Sequence, residues 1–495
     1  MQNEPKSPQL NPDRPATGSD NASAHDSSVQ NEPNPAQIND VGARLRSSLA
    51  QRIWQIEPNR FNRLCAIAAL AFLVVTIVAR LVLSRSDQDF PQYYMGGVVA
   101  RLGIWDELYP IPKPGATRNP GFIEDSTMKP RYAAEMKARV PSGDGVRYMQ
   151  PPPFALLLWP LSFLPYRVAY VLWNLGLMLC AWGVSVQAGW IYRICMNRST
   201  HGAGIVTLLI AVSPAAHRWV RVMNISPLLG VLIGVAVIGM VRNRPVHGAL
   251  ATWLAGLAKY ATGVFVPLYV ALRQWRALAW LVGVSVASLL ISIAVMGRGV
   301  FDEYLHVIAP TLKNPNTLVG NQALQGCIAR IIHGTHATQQ LEEFQRSLGG
   351  RPLIPRPVLI VLTVAQLATL ATILWLMFRR WKLGPRFWHE RAPMIFAAAS
   401  ALICWLLIFS PMYWEHYTAY LAPLWGWLAW EATRSRARMV LAIAVAVLCY
   451  VPWPIVINDL PEPLGSHILW ATMIMLGVAI DRMWRETRAA GSDLV

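Results

Sequence analysis

Long apolar segments recur along this chain too often for one soluble core to absorb them. The first, Cys65 to Leu83, holds about 20 residues, enough to cross the hydrocarbon layer of a bilayer as one helix. Others follow at Tyr166 to Trp190, Gly204 to Ala216, Ile225 to Val241, Ala277 to Met296, Val358 to Phe378, Pro393 to Phe409, Tyr417 to Trp430, Met439 to Ile457 and Ser466 to Met483. Most are long enough to cross, upright or tilted. With 54% hydrophobic and only 14% charged residues among 495, the composition excludes an ordinary soluble globule. The expected fold class is an all-α polytopic membrane protein.

The remaining composition fits that class. Several of the 21 tryptophans, among them Trp105, Trp159, Trp173, Trp219, Trp414 and Trp453, lie near the ends of apolar runs, as in the aromatic belts of membrane interfaces. The net charge of +17 forms no basic stripe with interleaved aromatics, so nucleic acid is not an expected partner. Met1 to Asp40 is polar and holds almost no large apolar residue, so it cannot bury enough surface to fold. No apolar core with a cleavage site precedes the first span, which then doubles as the targeting signal. The expected organisation is a disordered cytoplasmic tail over 1–61, a transmembrane domain over 62–485 and a short cytoplasmic tail over 486–495. The six cysteines are scattered, four of them within apolar runs, and support neither a disulfide framework nor a zinc site. No cofactor or metal is expected.

Arginine sets the expected sidedness. The short basic loops Arg193 to Arg198, Arg242 to Arg244, Arg273 to Arg276, Arg379 to Arg391 and Arg434 to Arg438 should be cytoplasmic under the positive-inside rule. If the second and third are both inside, His247 to Leu272 must leave and return within about 26 residues, too few for two crossings. This predicts a broken hairpin. Its expected break is Lys259-Tyr260-Ala261-Thr262-Gly263, with Lys259 lining a wet or protein-walled cavity, because irregular backbone is tolerated at membrane depth only there. The outer face then receives Ser84 to Pro153, Arg218 to Asn224, Gly297 to Pro357 and Ser410 to His416. Phe154 to Leu164, broken by Pro160, is too short to span and reads as an interfacial or re-entrant helix.

Chemistry is expected on that outer face. Asp87 and Asp89 follow the first span directly, where a carboxylate is partly desolvated and close to lipid-borne material, as a general base acting on a lipid-linked substrate requires. Either acid suits the role on chemistry alone. The cations Arg218, Arg221, Lys259 and Arg330 suit a leaving phosphate, arginine by bidentate contact and lysine as a point charge. Asn321 and Gln322 can hydrogen-bond sugar hydroxyls, and Tyr93, Tyr94 and Trp414 can stack on a sugar's apolar face. A secondary transporter is the main rival, but only one broken segment and no internal repeat are evident. A non-catalytic protein that binds polyprenyl phosphate is the other.

Several stretches resemble, in order, those of glycosyltransferase family 87, the bacterial α-mannosyltransferase-like group that uses polyprenyl-phosphate sugars. They are Asp89-Phe90 with Tyr93-Tyr94 and Leu108-Tyr109; Tyr148 with Pro151 to Leu157, Leu164-Pro165 and Ala169 to Trp173; Asn224-Ile225-Ser226-Pro227; Gly320 to Leu324 with Arg330; and Ser410-Pro411 with Trp414-Glu415-His416-Tyr417. The resemblance runs from about Leu64 to Arg485. It implies a GT-C type fold with about 10–12 transmembrane helices, interfacial helices in the first outer loop, and an active site on the extracytoplasmic face of the cell membrane. It further implies Asp89 as general base and His416 as a catalytic residue that positions that base or the donor, with Asn224 and Glu415 in the substrate site. The implied reaction moves a hexose, mannose foremost, from a polyprenyl-phosphate donor to a lipid or glycan acceptor with inversion. Two departures stand out: Tyr109 to Arg147 is long and polar for the family, and Met223 stands where a glycine is usual.

Overall fold

The computed structural model describes residues 55–83, 89–112, 126–141, 147–312, 317–318, 320–334, 352–379, 392–450 and 464–492. The contacts divide the chain into two units, 1–55 and 56–495, and all of the first except Gln55 lies outside the described residues, as do Asp87 and most of the Arg379 to Arg391 loop. The second unit is a helical assembly. Its one sheet among the described residues is a ribbon of two short antiparallel strands, Ile111–Pro112 and Ser126–Thr127.

Five described helices are long and apolar enough to cross a membrane: Pro58–Val82, Tyr166–Met196, Trp275–Met296, Arg356–Phe378 and Ala392–Phe409. The pair His201–Ala211 and Pro214–Arg221 makes a sixth if counted as one span bent by 48°. The bend has a local cause: Pro214 opens the second helix, and the Ser213 hydroxyl caps it by accepting from the Ala216 amide. Fewer helices qualify than the 10–12 spans implied by the family resemblance. Ser226–Val241 has 16 residues, about 24 Å of helix, and other apolar segments are broken or continue outside the described residues. Ala392–Phe409 lies in the protein core, whereas Trp275–Met296 and Arg356–Phe378 leave most of their apolar surface bare, as lipid-facing helices do.

The predicted hairpin is present. Pro245–Ala258 ends at Lys259, whose backbone is extended, and a 3-10 stretch, Tyr260–Phe265, leads into Val266–Ala271. The returning arm packs on the outgoing one. Thr262 Oγ1 donates to the Thr252 carbonyl at 2.8 Å, and the Thr252 and Tyr269 hydroxyls meet at 2.9 Å. A Cβ at Gly248 would lie 3.0 Å from the Tyr269 hydroxyl, so the small residue permits this approach. Gln274 Nε2 donates to the Met240 carbonyl at 2.9 Å, which returns the hairpin's end to its start.

The described basic loops share one face. A cavity joins Arg193 to Ser199 with Val241 and Arg242, and Gln274 touches Met240. Arg438 and Arg482 close on Glu431 at 2.9 and 3.5 Å, with Cys195 within the field of Glu431 and Arg482. The start of the first span joins them, since Asn62 bonds Thr200 and Gly204, and His201 bonds Ile56. The helix Tyr166–Met196, about 46 Å long, separates this face from Asp89, because its first turns pack on Phe90 while its last turn lines the basic cavity. Asp106 lies at the far end as well: Lys129 bonds both its carbonyl and Glu303, which follows the far end of Trp275–Met296. Cysteines introduced at the exposed residues Asp106 and Arg436 should therefore react with an impermeant thiol reagent from opposite sides of the membrane. Labelling of both from one side would contradict this separation.

Candidate active site

Asp89 precedes the helix Phe90–Leu102, but its side chain makes no cap bond there. Instead the half-buried carboxylate accepts from Asn224 Nδ2 at 2.7 Å, across 135 positions of sequence. The Asn224 amide has one possible orientation. Its Oδ1 accepts from the Ser226 amide at 3.1 Å and from the Ser226 hydroxyl at 2.7 Å, so its NH2 group must face Asp89. Behind the acid, Phe90 is walled by Tyr94, Tyr166, Tyr170 and Trp173. Tyr93 stacks on Trp173 with ring centroids 4.9 Å apart, and its hydroxyl accepts weakly from the Ile225 amide.

Met223 explains a departure from the family pattern. Its φ of 55° is left-handed, a conformation that favours glycine, yet a buried methionine holds it. Trp173 Nε1 donates to its carbonyl at 3.1 Å, and Asn174 Nδ2 approaches its sulfur at 3.6 Å. The strained residue sets the direction of Asn224, so the strain sits beside the candidate base.

Two further segments reach the same place. Arg218, on Pro214–Arg221, pairs with Glu415 at 3.1 Å, and that helix is fixed to the turn by Trp219 Nε1 donating to Thr418 Oγ1 at 2.9 Å. Lys259, at the hairpin break, places its ammonium 3.9 Å from the ring centroid of Tyr417, and His416 packs edge-on against the same ring. His416 is buried, and among the described residues its Nε2 has no hydrogen-bond partner. It therefore presents one unused polar atom.

The electrostatics follow from this crowding. Burial raises the Asp89 carboxyl above its usual range, opposed by the Asn224 bond and by the nearby Lys259 and Arg218 charges. Burial pushes the Glu415 carboxyl up to about 8 although Arg218 pulls it down. Burial, then the Lys259 and Arg218 charges, drives the His416 imidazole well below its ordinary value, so it stays neutral. The result is one half-buried carboxyl, the Arg218 guanidinium, a Lys259 amine whose pKa burial lowers to about 7 and a neutral imidazole, which suits proton abstraction beside an anion.

Sequence-predicted residues divide sharply here. Asp89, Asn224, Lys259, Arg218, Glu415 and His416 converge; Asp87 lies outside the described residues. Tyr94 is buried and donates to the Leu164 carbonyl, so its ring belongs to the aromatic wall. Arg221 is exposed and sits near Arg80 and His217. Trp414 is half-buried and pairs through its backbone with Asn321.

The polar atoms of Asn321, Gln322 and Arg330 go elsewhere. Asn321 donates to the Pro411 carbonyl and accepts from the Tyr413 amide, and Gln322 bonds Gly465 and Ile468. Arg330 donates to the Leu318 and Asn321 carbonyls and to Ser466 Oγ at 2.7–2.8 Å. Together they form a buried latch that holds the histidine turn. Arg330→Ala should therefore lower thermal stability in detergent by about 3 kcal/mol, with little change in substrate KM for the folded fraction. Lysine should not rescue it, because the guanidinium fork makes the bonds. A stable variant with weakened donor binding would contradict the latch.

Sequence reasoning missed two neighbours. Arg80 is buried at the end of the first span, where it bonds the Val220 carbonyl and adds a cation beside Arg221. An arginine inside an apolar run was its signal. Tyr417, which seats Lys259, carried no signal beyond its place after His416.

No curated protein matches the chain. The model of glycosyltransferase family 87 matches residues 148–411, more than half of the chain, and includes Asn224, the Lys259 hairpin and Arg330. With an all-helical membrane architecture and a carboxylate set among cations, the chain belongs to glycosyltransferase family 87 and is a membrane glycosyltransferase.

Proposed function

We propose that the protein transfers a hexose, mannose foremost, from a polyprenyl-phosphate donor to a lipid or glycan acceptor, with Asp89 as general base. The Asp89–Asn224 contact carries the reading: it holds one carboxylate in a fixed direction with its other oxygen left for a hydroxyl. The acceptor hydroxyl gives its proton to Asp89 as its oxygen attacks the anomeric carbon. The bond from that carbon to the phosphate oxygen breaks, and polyprenyl phosphate leaves with the bonding electrons. Its departure needs little protonation, so one base and a cationic pocket suffice. Single displacement inverts the anomeric centre. Arg218 and Lys259 compensate the phosphate, with Arg221 at the rim, and His416 Nε2 bonds a donor or acceptor oxygen. Arg330, Asn321 and Gln322 act through the turn they hold.

Orientation follows from charge. The gathered basic loops support an orientation with the N-terminus in the cytoplasm and the active site on the extracytoplasmic face of the cell membrane. A donor comparison tests the reaction: purified protein with a mixed envelope extract should transfer label from polyprenyl-phosphate-mannose and not from a nucleotide sugar. Transfer from the nucleotide sugar alone would overturn the lipid-donor reading.

A further inference from the structure

A cavity of about 400 Å³ opens on the basic face. It lies about 30 Å along the helix Tyr166–Met196 from Trp173, the residue that touches Tyr93 in the active site. Arg193, Arg198 and Arg242 surround it, Ile194 and Val241 give it an apolar wall, and no acidic residue lines it. Arg242 lies over the Trp190 ring at 4.2 Å. The Trp190 indole N–H is buried at the cavity with no hydrogen-bond partner among the described residues.

One acid stands near the rim: Glu57 accepts from Asn59, which in turn accepts from the lining residue Ser199. On the same face Arg438 and Arg482 are matched by Glu431, Asp481 and Glu486, whereas Arg193, Arg198 and Arg242 form no ion pair among the described residues. Two helices end here, Tyr166–Met196 and Ser226–Val241, and their C-termini oppose an anion with about half a negative charge each. Three guanidinium groups outweigh that by about two charges. Forked cations and an apolar wall at the end of a membrane span match a phosphate at the bilayer surface.

We propose that this cavity binds a phosphate group, supplied by an anionic phospholipid whose chains lie on the adjoining apolar surface. The arginines take the phosphate oxygens, and the Trp190 ring seats the Arg242 guanidinium. The site is separate from the transfer chemistry, so neither reading depends on the other.

Native mass spectrometry of the full-length protein, titrated with phosphatidylglycerol or phosphatidylcholine, tests it. The wild type should retain phosphatidylglycerol at least tenfold better than phosphatidylcholine. The triple variant Arg193→Gln, Arg198→Gln and Arg242→Gln should lose that preference. Trp190→Leu, which keeps every charge but removes the ring beneath Arg242 and guards against a misfolded triple variant, should lower retention about threefold. Millimolar inorganic phosphate should leave the bound phospholipid in place, which supports the headgroup as ligand; displacement would support the phosphate site but overturn its assignment to lipid. Equal retention of both lipids by the wild type, or unchanged retention in both variants, would overturn the proposal.

Discussion

Asp89→Asn is expected to lower turnover by about two to four orders of magnitude, the usual contribution of a general base, while donor affinity stays close to that of the wild type. Asparagine keeps the shape and can still bond Asn224, so the fold should survive. Because burial raises the Asp89 carboxyl above its ordinary range, activity should fall as pH drops through that raised value and recover as pH rises above it. Initial rates against pH, with donor binding measured separately, check both statements. An active Asp89→Asn with a dead Asp87→Asn would move the base by two residues.

Arg218→Ala should have the next largest effect, because the guanidinium serves two partners. It is a candidate phosphate contact, and its loss should raise donor KM at least tenfold, corresponding to about 1.5–3 kcal/mol for a charge-assisted bond. It also removes the partner of Glu415, but with the carboxyl already up to about 8 the group is mostly protonated at neutral pH, so the added loss of stability falls chiefly above that value. The sign of the pH effect follows. With its pKa up to about 8 in the folded protein against an ordinary 4.5, Glu415 binds a proton more tightly in the folded state. Its contribution to stability is therefore full below about pH 4.5 and is lost as pH rises toward 8. Glu415→Gln removes the titration and should flatten that part of the melting profile. An unchanged profile in Glu415→Gln would exclude Glu415 as its source.

How much of this is legible from residues alone differs by element. The hairpin was readable because arginines at both ends of 247–272 set a parity that no pair of full spans satisfies, and Lys259 marked the break. The contact of Asp89 with Asn224 was not readable from spacing, since the two lie far apart in sequence and meet through a left-handed turn at Met223. Only the family resemblance pointed to both. Side-chain chemistry drew Arg330, Asn321 and Gln322 toward substrate, whereas in the fold their bonds tie Leu318, Pro411, Tyr413 and the segment at Gly465 together. A motif records that side chains are needed, and a buried latch needs its arginine as strictly as a phosphate site does. Tyr417 could not be foreseen, because a cation seated on an aromatic ring leaves no spacing rule.

Bond exchange at the anomeric carbon is the central step of the proposed reaction, and one measurement reads it directly. Purified protein is mixed with anomerically labelled β-linked polyprenyl-phosphate-mannose and a fractionated envelope acceptor, and product linkage and free polyprenyl phosphate are followed together. The predicted result is one α-linked sugar on the acceptor for each polyprenyl phosphate released, and neither product with Asp89→Asn. A β-linked product, equal yields from wild type and Asp89→Asn, or movement of intact donor across the bilayer without a new glycosidic bond would contradict it.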